Sequence, residues 1–313
     1  MVYSSAGPIK ILYRGYSGLK MKTLVFTLAA ASLSFGQSLN GVVDIHVHSG
    51  PDSVPRSIDG LEIAKYARAR GFRAIVLKNH YESTASLATL ASKAAGGMQV
   101  FGGIALNRTV GGVNPAAVER MTRVDGNRGR IVWMPTFDAE NQVKYSKENR
   151  PYVSISRNGA LLPEVLQVLD LIAKHKLTLA TGHSTPAEVL LLVREARRRG
   201  VTSIVVTHGM LAPVSMTVDQ LREATAQGAY VEFVSNAMIG IQRSTDFETY
   251  AKAMRAVGID HSILSSDLGQ ANNPLHPDGL EIVFAGLRSA GLTIAEIDQV
   301  AKINPARLLG LDK

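Results

Sequence analysis

The stretch GVVDIHVHSG, residues 41–50, runs from β-forming residues into two histidines that stand two positions apart. Alternate side chains of a strand point to the same side, so we expect His46 and His48 to share one face. The following stretch, 57–71, has a helical pattern with cap-forming residues at its start and a glycine at its end. A strand followed by a helix is the repeating unit of parallel α/β folds.

The strand–helix unit recurs along the chain. The predicted strands cover residues 41–48, 72–80, 98–106, 130–137, 177–183, 202–209, 229–235 and 261–267. They are nearly continuous apolar runs, which is typical of a parallel sheet covered on both faces. Eight such units predict an α/β fold of the (β/α)8 TIM-barrel type. The alternative is an open doubly wound sheet, but no glycine-rich phosphate turn follows the first strand.

The chain has 313 residues, 46% of them hydrophobic, and no linker divides it. We therefore expect one barrel domain over residues 37–313, after an N-terminal extension at 1–36. Four of the 34 basic residues and none of the 26 acidic residues lie in that extension. The barrel is thus only mildly basic, and aromatic residues are few, so we do not expect a nucleic-acid partner. The sequence leaves both a monomer and a homo-oligomer open.

The extension contains the segment MKTLVFTLAAASLSFGQ, which starts at Met21. One lysine, an apolar run of about a dozen residues and then small residues form the pattern of a secretory signal peptide. Cleavage near Gly36 would export the barrel to the periplasm or the medium. The alternatives are a buried N-terminal helix or an uncleaved anchor. The apolar run is short of the roughly 20 residues of a membrane helix, so we expect no stable membrane span.

Polar side chains stand at the ends of the predicted strands, where barrels carry their chemistry. Those able to bind a metal or a proton are His46, His48, Lys78, His80, His183, His208 and Asp267, with Glu232 earlier in the seventh strand. A single buried histidine is more often only hydrogen-bonded. Several histidines and a carboxylate at one barrel end instead favour a divalent metal, with zinc the first choice and iron, nickel or manganese as alternatives.

Five motifs now indicate a family. They are DIHVH at 44–48, TGHS at 181–184, VTHG at 206–209, SSDLG at 265–269 and NPARLLGL at 304–311. In this order they resemble the amidohydrolase superfamily over roughly residues 42–311. The resemblance implies that His46, His48, His183, His208 and Asp267 bind one or two metal ions. It also implies that Asp267 accepts a proton from the attacking water. If only one ion binds, His208 is free to stabilise the developing oxyanion.

The second strand departs from the family pattern. Two-metal members often place a carbamylated lysine at the end of the fourth strand, but RIVWMPTFDAEN at 130–141 contains no lysine. The second strand supplies Lys78 and His80 instead. Three interpretations of Lys78 stay open: a carbamylated bridge between two metals, a cation for an anionic substrate group, or an interior lysine paired with a carboxylate. We expect His80 to be a metal ligand or a substrate donor rather than a supporting residue.

Loops at the same barrel end are candidates for substrate contacts. Asn107 and Arg108 could bind a carbonyl or carboxylate, or form only a surface turn. His276 could contact the substrate or cap a helix. The long connection 138–158 carries four cations, which would form either a lid or a solvated surface.

The sequence therefore predicts a metal-dependent hydrolase that acts on a small molecule with an amide, cyclic amide, lactone or ester bond. A metal-dependent decarboxylase and a phosphoesterase of the same superfamily are alternatives. A secreted barrel that binds a ligand without turnover is a third.

Overall fold

The computed structural model describes residues 37–241 and 243–311, so the predicted signal peptide lies outside the described residues. Eight parallel strands form one sheet in sequential order. They are β1 (Val43–Val47), β2 (Ala74–Leu77), β3 (Gln99–Ala105), β4 (Gly129–Trp133), β5 (Thr178–Ala180), β6 (Ser203–Val206), β7 (Tyr230–Val234) and β8 (Ser262–Ser265). The expected (β/α)8 TIM barrel is confirmed.

The barrel closes where its first and last strands meet. Asp267 donates its backbone N–H to the carbonyl of His46 at 2.9 Å, and His48 donates to the carbonyl of Leu268 at 3.0 Å. These contacts lie just beyond the carboxyl end of β8, and only a single bridge, Val47 with Leu268, is formed there. The barrel is therefore nearly closed, with a short seam between β1 and β8.

Twelve α-helices lie within the described residues. They are α1 (Gly60–Ala69), α2 (Ala85–Ala94), α3 (Pro115–Thr122), α4 (Glu140–Tyr145), α5 (Pro163–Lys174), α6 (Pro186–Arg198), α7 (Val218–Ala226), α8 (Asn236–Ile239), α9 (Phe247–Val257), α10 (His276–Ser289), α11 (Ile294–Asp298) and α12 (Asn304–Leu308). Asp59 caps α1 by accepting the backbone N–H groups of Leu61 and Glu62. Among the described residues, no helix has the length and apolar character needed to cross a membrane.

Two apolar layers explain why the strands read as continuous hydrophobic runs. One set of strand side chains packs inside the barrel, and the other packs between the strands and the helices. The C-terminal helix α12 belongs to the inner layer through Ala306, Leu308 and Leu309. The carbonyl of Leu308 accepts a hydrogen bond from Thr178, the first residue of β5. The C-terminal motif therefore covers the amino ends of the strands, opposite the predicted site.

The connection 138–158 contains more order than a solvated loop. It forms α4 and begins a short hairpin between Ser156–Arg157 and Ala160–Leu161. Lys144 pairs with Glu140, and Arg150 pairs with Asp138 and Glu148. These cations are neutralised by carboxylates of their own connection, so this part of the connection carries little free positive charge.

Adding a methyl group at Gly103 is expected to destabilise the barrel. A Cβ atom there would lie 2.2 Å from the carbonyl oxygen of Ile131 and 2.4 Å from the ring of Trp133. Because a strand backbone cannot move away, we expect Gly103→Ala to lower the free energy of unfolding by about 1–3 kcal/mol or more in urea titrations. Gly50→Ala is the control, since its Cβ would meet no atom closer than 3.8 Å. Equal stability of the two variants would contradict the close packing of β3 and β4.

Candidate metal centre

Two histidines of β1 and its end meet the aspartate that follows β8. The Oδ1 atom of Asp267 lies 3.0 Å from Nε2 of His46 and 3.0 Å from Nε2 of His48. Ligand atoms of the three residues lie within 4.8 Å of one another. Both histidines are buried, while Asp267 is partly exposed to the cavity above them. The expectation that His46 and His48 share a face is confirmed.

Three imidazoles are held through the ring nitrogen that does not face a prospective cation. His46 donates from Nδ1 to Glu232 at 2.9 Å, His48 to the backbone carbonyl of Lys78 at 2.9 Å, and His183 to the amide oxygen of Gln142 at 2.7 Å. Each bond leaves Nε2 as the remaining nitrogen. Metal-binding histidines are typically oriented in this way, by a hydrogen bond from the other N–H group. The donor set therefore fits a divalent metal ion.

Glu232 of β7 connects several parts of the site. Its Oε1 accepts hydrogen bonds from His46 and from the hydroxyl of Ser265 at 2.7 Å, and its Oε2 accepts the backbone N–H of His208 at 3.1 Å. Burial alone would raise the pKa of this carboxyl, but the interaction with His46 lowers it to about 2. Glu232 is therefore an ionised carboxylate that orients His46.

His208 stands next to the cluster and has a buried ring nitrogen without a partner in the described part of the chain. Its Nδ1 is buried and has no hydrogen-bond partner among the described residues. The ring centroid lies 5.0 Å from that of His183 and 6.2 Å from that of His46. Burial lowers the pKa of His208, which favours the neutral ring and leaves one lone pair available. An unpartnered buried nitrogen is unusual, and a bound cation would satisfy it.

The side chain of Lys78, which follows β2, extends to the ring of His46. Its Nζ lies 2.9 Å from Nε2 of His46 and 5.4 Å from the centroid of the Trp133 ring. Burial lowers the pKa of the Lys78 amine to about 8. Among the described residues Lys78 forms no ion pair within 4 Å, so the structure does not support the interpretation as an interior lysine paired with a carboxylate.

His80 lies beside the cluster rather than at its centre. Its Nδ1 is 2.9 Å from the hydroxyl of Thr136, and its ring stacks on His48 with centroids 4.9 Å apart. The ring of Phe137 covers it at 4.0 Å. His80 lines the cavity, as a substrate donor would.

The charge state of the cluster is set by opposite charges in a buried space. Burial would raise the pKa of Asp267, but His46 and His48 hold it well below its usual range. Burial would lower the pKa of His46, but Asp267 and Glu232 outweigh it and raise the value to about 9. Two carboxylates around one imidazole therefore favour a positive charge at this position. A metal ion would supply that charge.

A cavity of about 580 Å³ opens above these residues. Its lining consists of His48, Val54, Pro55, Arg56, Lys78, His80, Phe137, Gln142, His183, His208, Leu211, Ala212, Asn236, Ala237, Ser244, Asp267 and Gln270. Asp267 is the one carboxylate in this lining. Arg56 comes from the loop after β1 and is paired with Asp52 at 2.6 Å. The cavity has the size of a small-molecule site, and its lining contains both polar and apolar side chains.

Three predicted substrate contacts do not line this cavity. Asn107 is buried and donates to the carbonyl of His80 and the hydroxyl of Thr136, so it positions the loop around His80. Arg108 is exposed in a short 3₁₀ turn. His276 is buried at the start of α10 and donates to the carbonyl of Leu268 at 2.8 Å. The structure brings together the other predicted residues, identifies Glu232 as the partner of His46, and adds Gln142 as the partner of His183.

Fold and site together define a class: a parallel (β/α)8 barrel with a histidine–aspartate cluster at the carboxyl ends of its strands. Residues 41–232 match the model of a family described as a family of unknown function, DUF6282. The chain belongs to this family. No functionally curated protein has detectable sequence similarity to it.

Several solved structures have a similar fold at low identity. Organophosphorus hydrolase from Deinococcus radiodurans is 16% identical, with a TM-score of 0.59 over 86% of this chain and 92% of that chain. An amidohydrolase from Pseudomonas aeruginosa is 13% identical, with a TM-score of 0.59 over 86% and 95%. A protein described as a weak promiscuous lactonase template engineered for organophosphate hydrolysis is 16% identical, with a TM-score of 0.59 over 88% and 100%. The resemblance to the amidohydrolase superfamily is thus confirmed for the fold.

Proposed function

We propose that the protein is a metal-dependent hydrolase that uses water to cleave an amide, cyclic amide, lactone or ester bond. The observation that carries this proposal is the set of imidazoles anchored through Nδ1 beside the carboxylate of Asp267. A nitrogen-rich set with one carboxylate favours zinc. When bound, such an ion lowers the pKa of water from 15.7 to about 7 and polarises a carbonyl oxygen.

The chain's own groups divide the remaining work. His46, His48, His183 and His208 would hold the ion with Asp267, while Glu232 fixes His46. Asp267 is ionised and faces the cavity, so it would accept a proton from the attacking water and pass it to the leaving group. His80 would orient the substrate through Nε2, because Thr136 already occupies its Nδ1.

Among these bonds we favour the lactone or ester. One similar structure is described as a lactonase template, and others are named organophosphorus hydrolases. A phosphotriester is the second candidate for the same reason. The test is a panel of lactones, esters, amides and phosphotriesters, assayed with zinc-loaded protein and after chelation. Turnover that disappears with the metal supports the proposal. No turnover of any substrate, or a release of CO₂ from aromatic acids alone, would contradict it.

The chemical state of Lys78 determines whether the site can hold one metal ion or two. A charged ammonium 2.9 Å from Nε2 of His46 would repel a divalent ion at the same imidazole. We therefore propose that Lys78 is carbamylated in the metal-bound protein: its neutral amine adds CO₂, forms an N–C bond and releases a proton. The resulting carboxylate would be shared by two ions.

Replacing this lysine is expected to change the metal count. We expect Lys78→Met to lower the bound zinc from two ions to one per chain, measured by elemental analysis after dialysis. Wild-type protein incubated with ¹³C-bicarbonate should show a carbamate ¹³C resonance that the variant lacks. Lys65→Met, on the exposed face of α1, is the control. A single ion in both proteins, with no carbamate signal, would instead make Lys78 a cation for the substrate.

We also propose that the barrel is exported after cleavage near Gly36. The support is the pattern of residues 21–37 in the sequence. The N-terminal sequence of the protein recovered from its native host, outside the cytoplasm, tests this.

A further inference from the structure

We propose that the barrel binds a small oxyanion, a carboxylate or a phosphate, at the end opposite the metal centre. A second cavity of about 330 Å³ lies there, lined by Thr122, Asn127, Gly129, Arg130, His175 and Leu177. Gly129 and Arg130 begin β4, and Leu177 directly precedes β5. The cavity therefore opens at the amino ends of the strands. Because it is separate from the metal-centre cavity, this inference does not depend on the proposed hydrolase.

Two residues that line this cavity each contain a buried nitrogen atom without a partner within the described ranges. The Nε of Arg130 and the Nε2 of His175 are both buried, and neither has a hydrogen-bond partner among the described residues. Buried polar groups are almost always hydrogen-bonded, and an unpaired N–H group is destabilising. A guanidinium is a donor at any pH, and Arg130 forms no hydrogen bond among the described residues. A ligand that accepts hydrogen bonds in this cavity would supply the partner that Arg130 lacks.

The charges around the cavity indicate the sign of that ligand. The guanidinium groups of Arg128 and Arg130 both lie over the ring of Phe101, at 5.7 and 4.9 Å from its centroid. Neither forms an ion pair with a carboxylate in the part of the chain that the structure describes. Burial, and then the neighbouring Arg128, lower the pKa of Arg130. An anion would offset both effects, because it supplies the missing negative charge.

The shape of the site narrows the ligand class. No carboxylate lines the cavity, and the buried Leu177 contributes an apolar side chain to it. A planar guanidinium recognises carboxylate and phosphate oxygens with paired hydrogen bonds. The volume suits inorganic phosphate or a small carboxylic acid. The ligand class is therefore a small anion with at least two oxygen acceptors.

This inference is tested by titrating the full chain with inorganic phosphate and, separately, with acetate. Chloride keeps the ionic strength constant and serves as the reference anion. We expect a saturable rise in the unfolding temperature and a measurable heat of binding. In Arg130→Met the affinity should fall about tenfold or more, since one charged hydrogen-bond donor is removed. Arg123→Met is the matched control, because that exposed arginine pairs with Glu119 nearby and does not line the cavity.

Two further variants keep the test decisive if Arg130→Met does not fold. Arg130→Lys keeps the charge but loses Nε, and His175→Phe keeps the ring but loses its nitrogens; both should weaken binding. A response to phosphate alone identifies a phosphate site, and a response to both anions identifies a general oxyanion site. The inference is overturned if neither anion binds wild-type protein, or if the Arg130 and His175 variants bind as well as wild type.

Discussion

Asp267→Asn is expected to lower kcat by about 10²- to 10⁴-fold, the usual contribution of a general base. Asparagine is close in shape but does not accept a proton at neutral pH. Asp267 has a φ of 50°, in the left-handed region that asparagine tolerates well, so the backbone contact with His46 should persist. The rate is measured on the best substrate of the panel, with the metal content determined in parallel.

Asp219→Asn is the control for this variant, because its side chain is exposed and 94% accessible. It should keep the full rate. A rate for Asp267→Asn within a factor of two of wild type, at equal metal content, would show that another group accepts the proton.

His46→Ala is expected to lose most of its bound metal and, with it, the activity. Its imidazole supplies one of the buried nitrogens at the cluster. Glu232→Gln should be milder, because the imidazole remains but loses its anionic partner; changes of this kind cost about 10- to 100-fold in metal affinity. Zinc binding by each purified variant, measured by elemental analysis and competition with a chelator, checks both.

His261→Ala is the matched control, since this histidine precedes β8 at the far end of the strand. It should bind metal as wild type does. Wild-type protein that contains no metal and takes up none on soaking would contradict the metal centre itself.

The sequence predicts the barrel well because each strand carries its own signal. Apolar runs of this length that alternate with amphipathic helices have few other arrangements. The same regularity predicts that His46, His183 and Asp267 lie near one another, since polar residues at the carboxyl ends of parallel strands converge when the sheet closes. Predicting that these side chains converge required only the position of each residue along its strand.

The partners of these residues were harder to predict because they depend on which strands and loops become neighbours. Glu232 is visible in the sequence as a buried acid of the seventh strand, but its contact with His46 exists only after the barrel closes. Gln142 lies on α4, inside a connection that the sequence presents as a polar loop. Asn107 was predicted as a substrate contact, but its side chain already has hydrogen-bond partners. It donates to the carbonyl of His80 and accepts the backbone N–H of Thr136, which local sequence does not show.

The position of the seam between β1 and β8 implies that an ion bound at the cluster would also hold the barrel closed. The two strands are joined by few backbone hydrogen bonds, and His46 and Asp267 stand on opposite sides of that join. An ion bound by both residues would act as a cross-link between the first and last strands. Ion binding and closure of the barrel would then be thermodynamically linked. The free energy of ion binding would add to the free energy needed to separate β1 from β8.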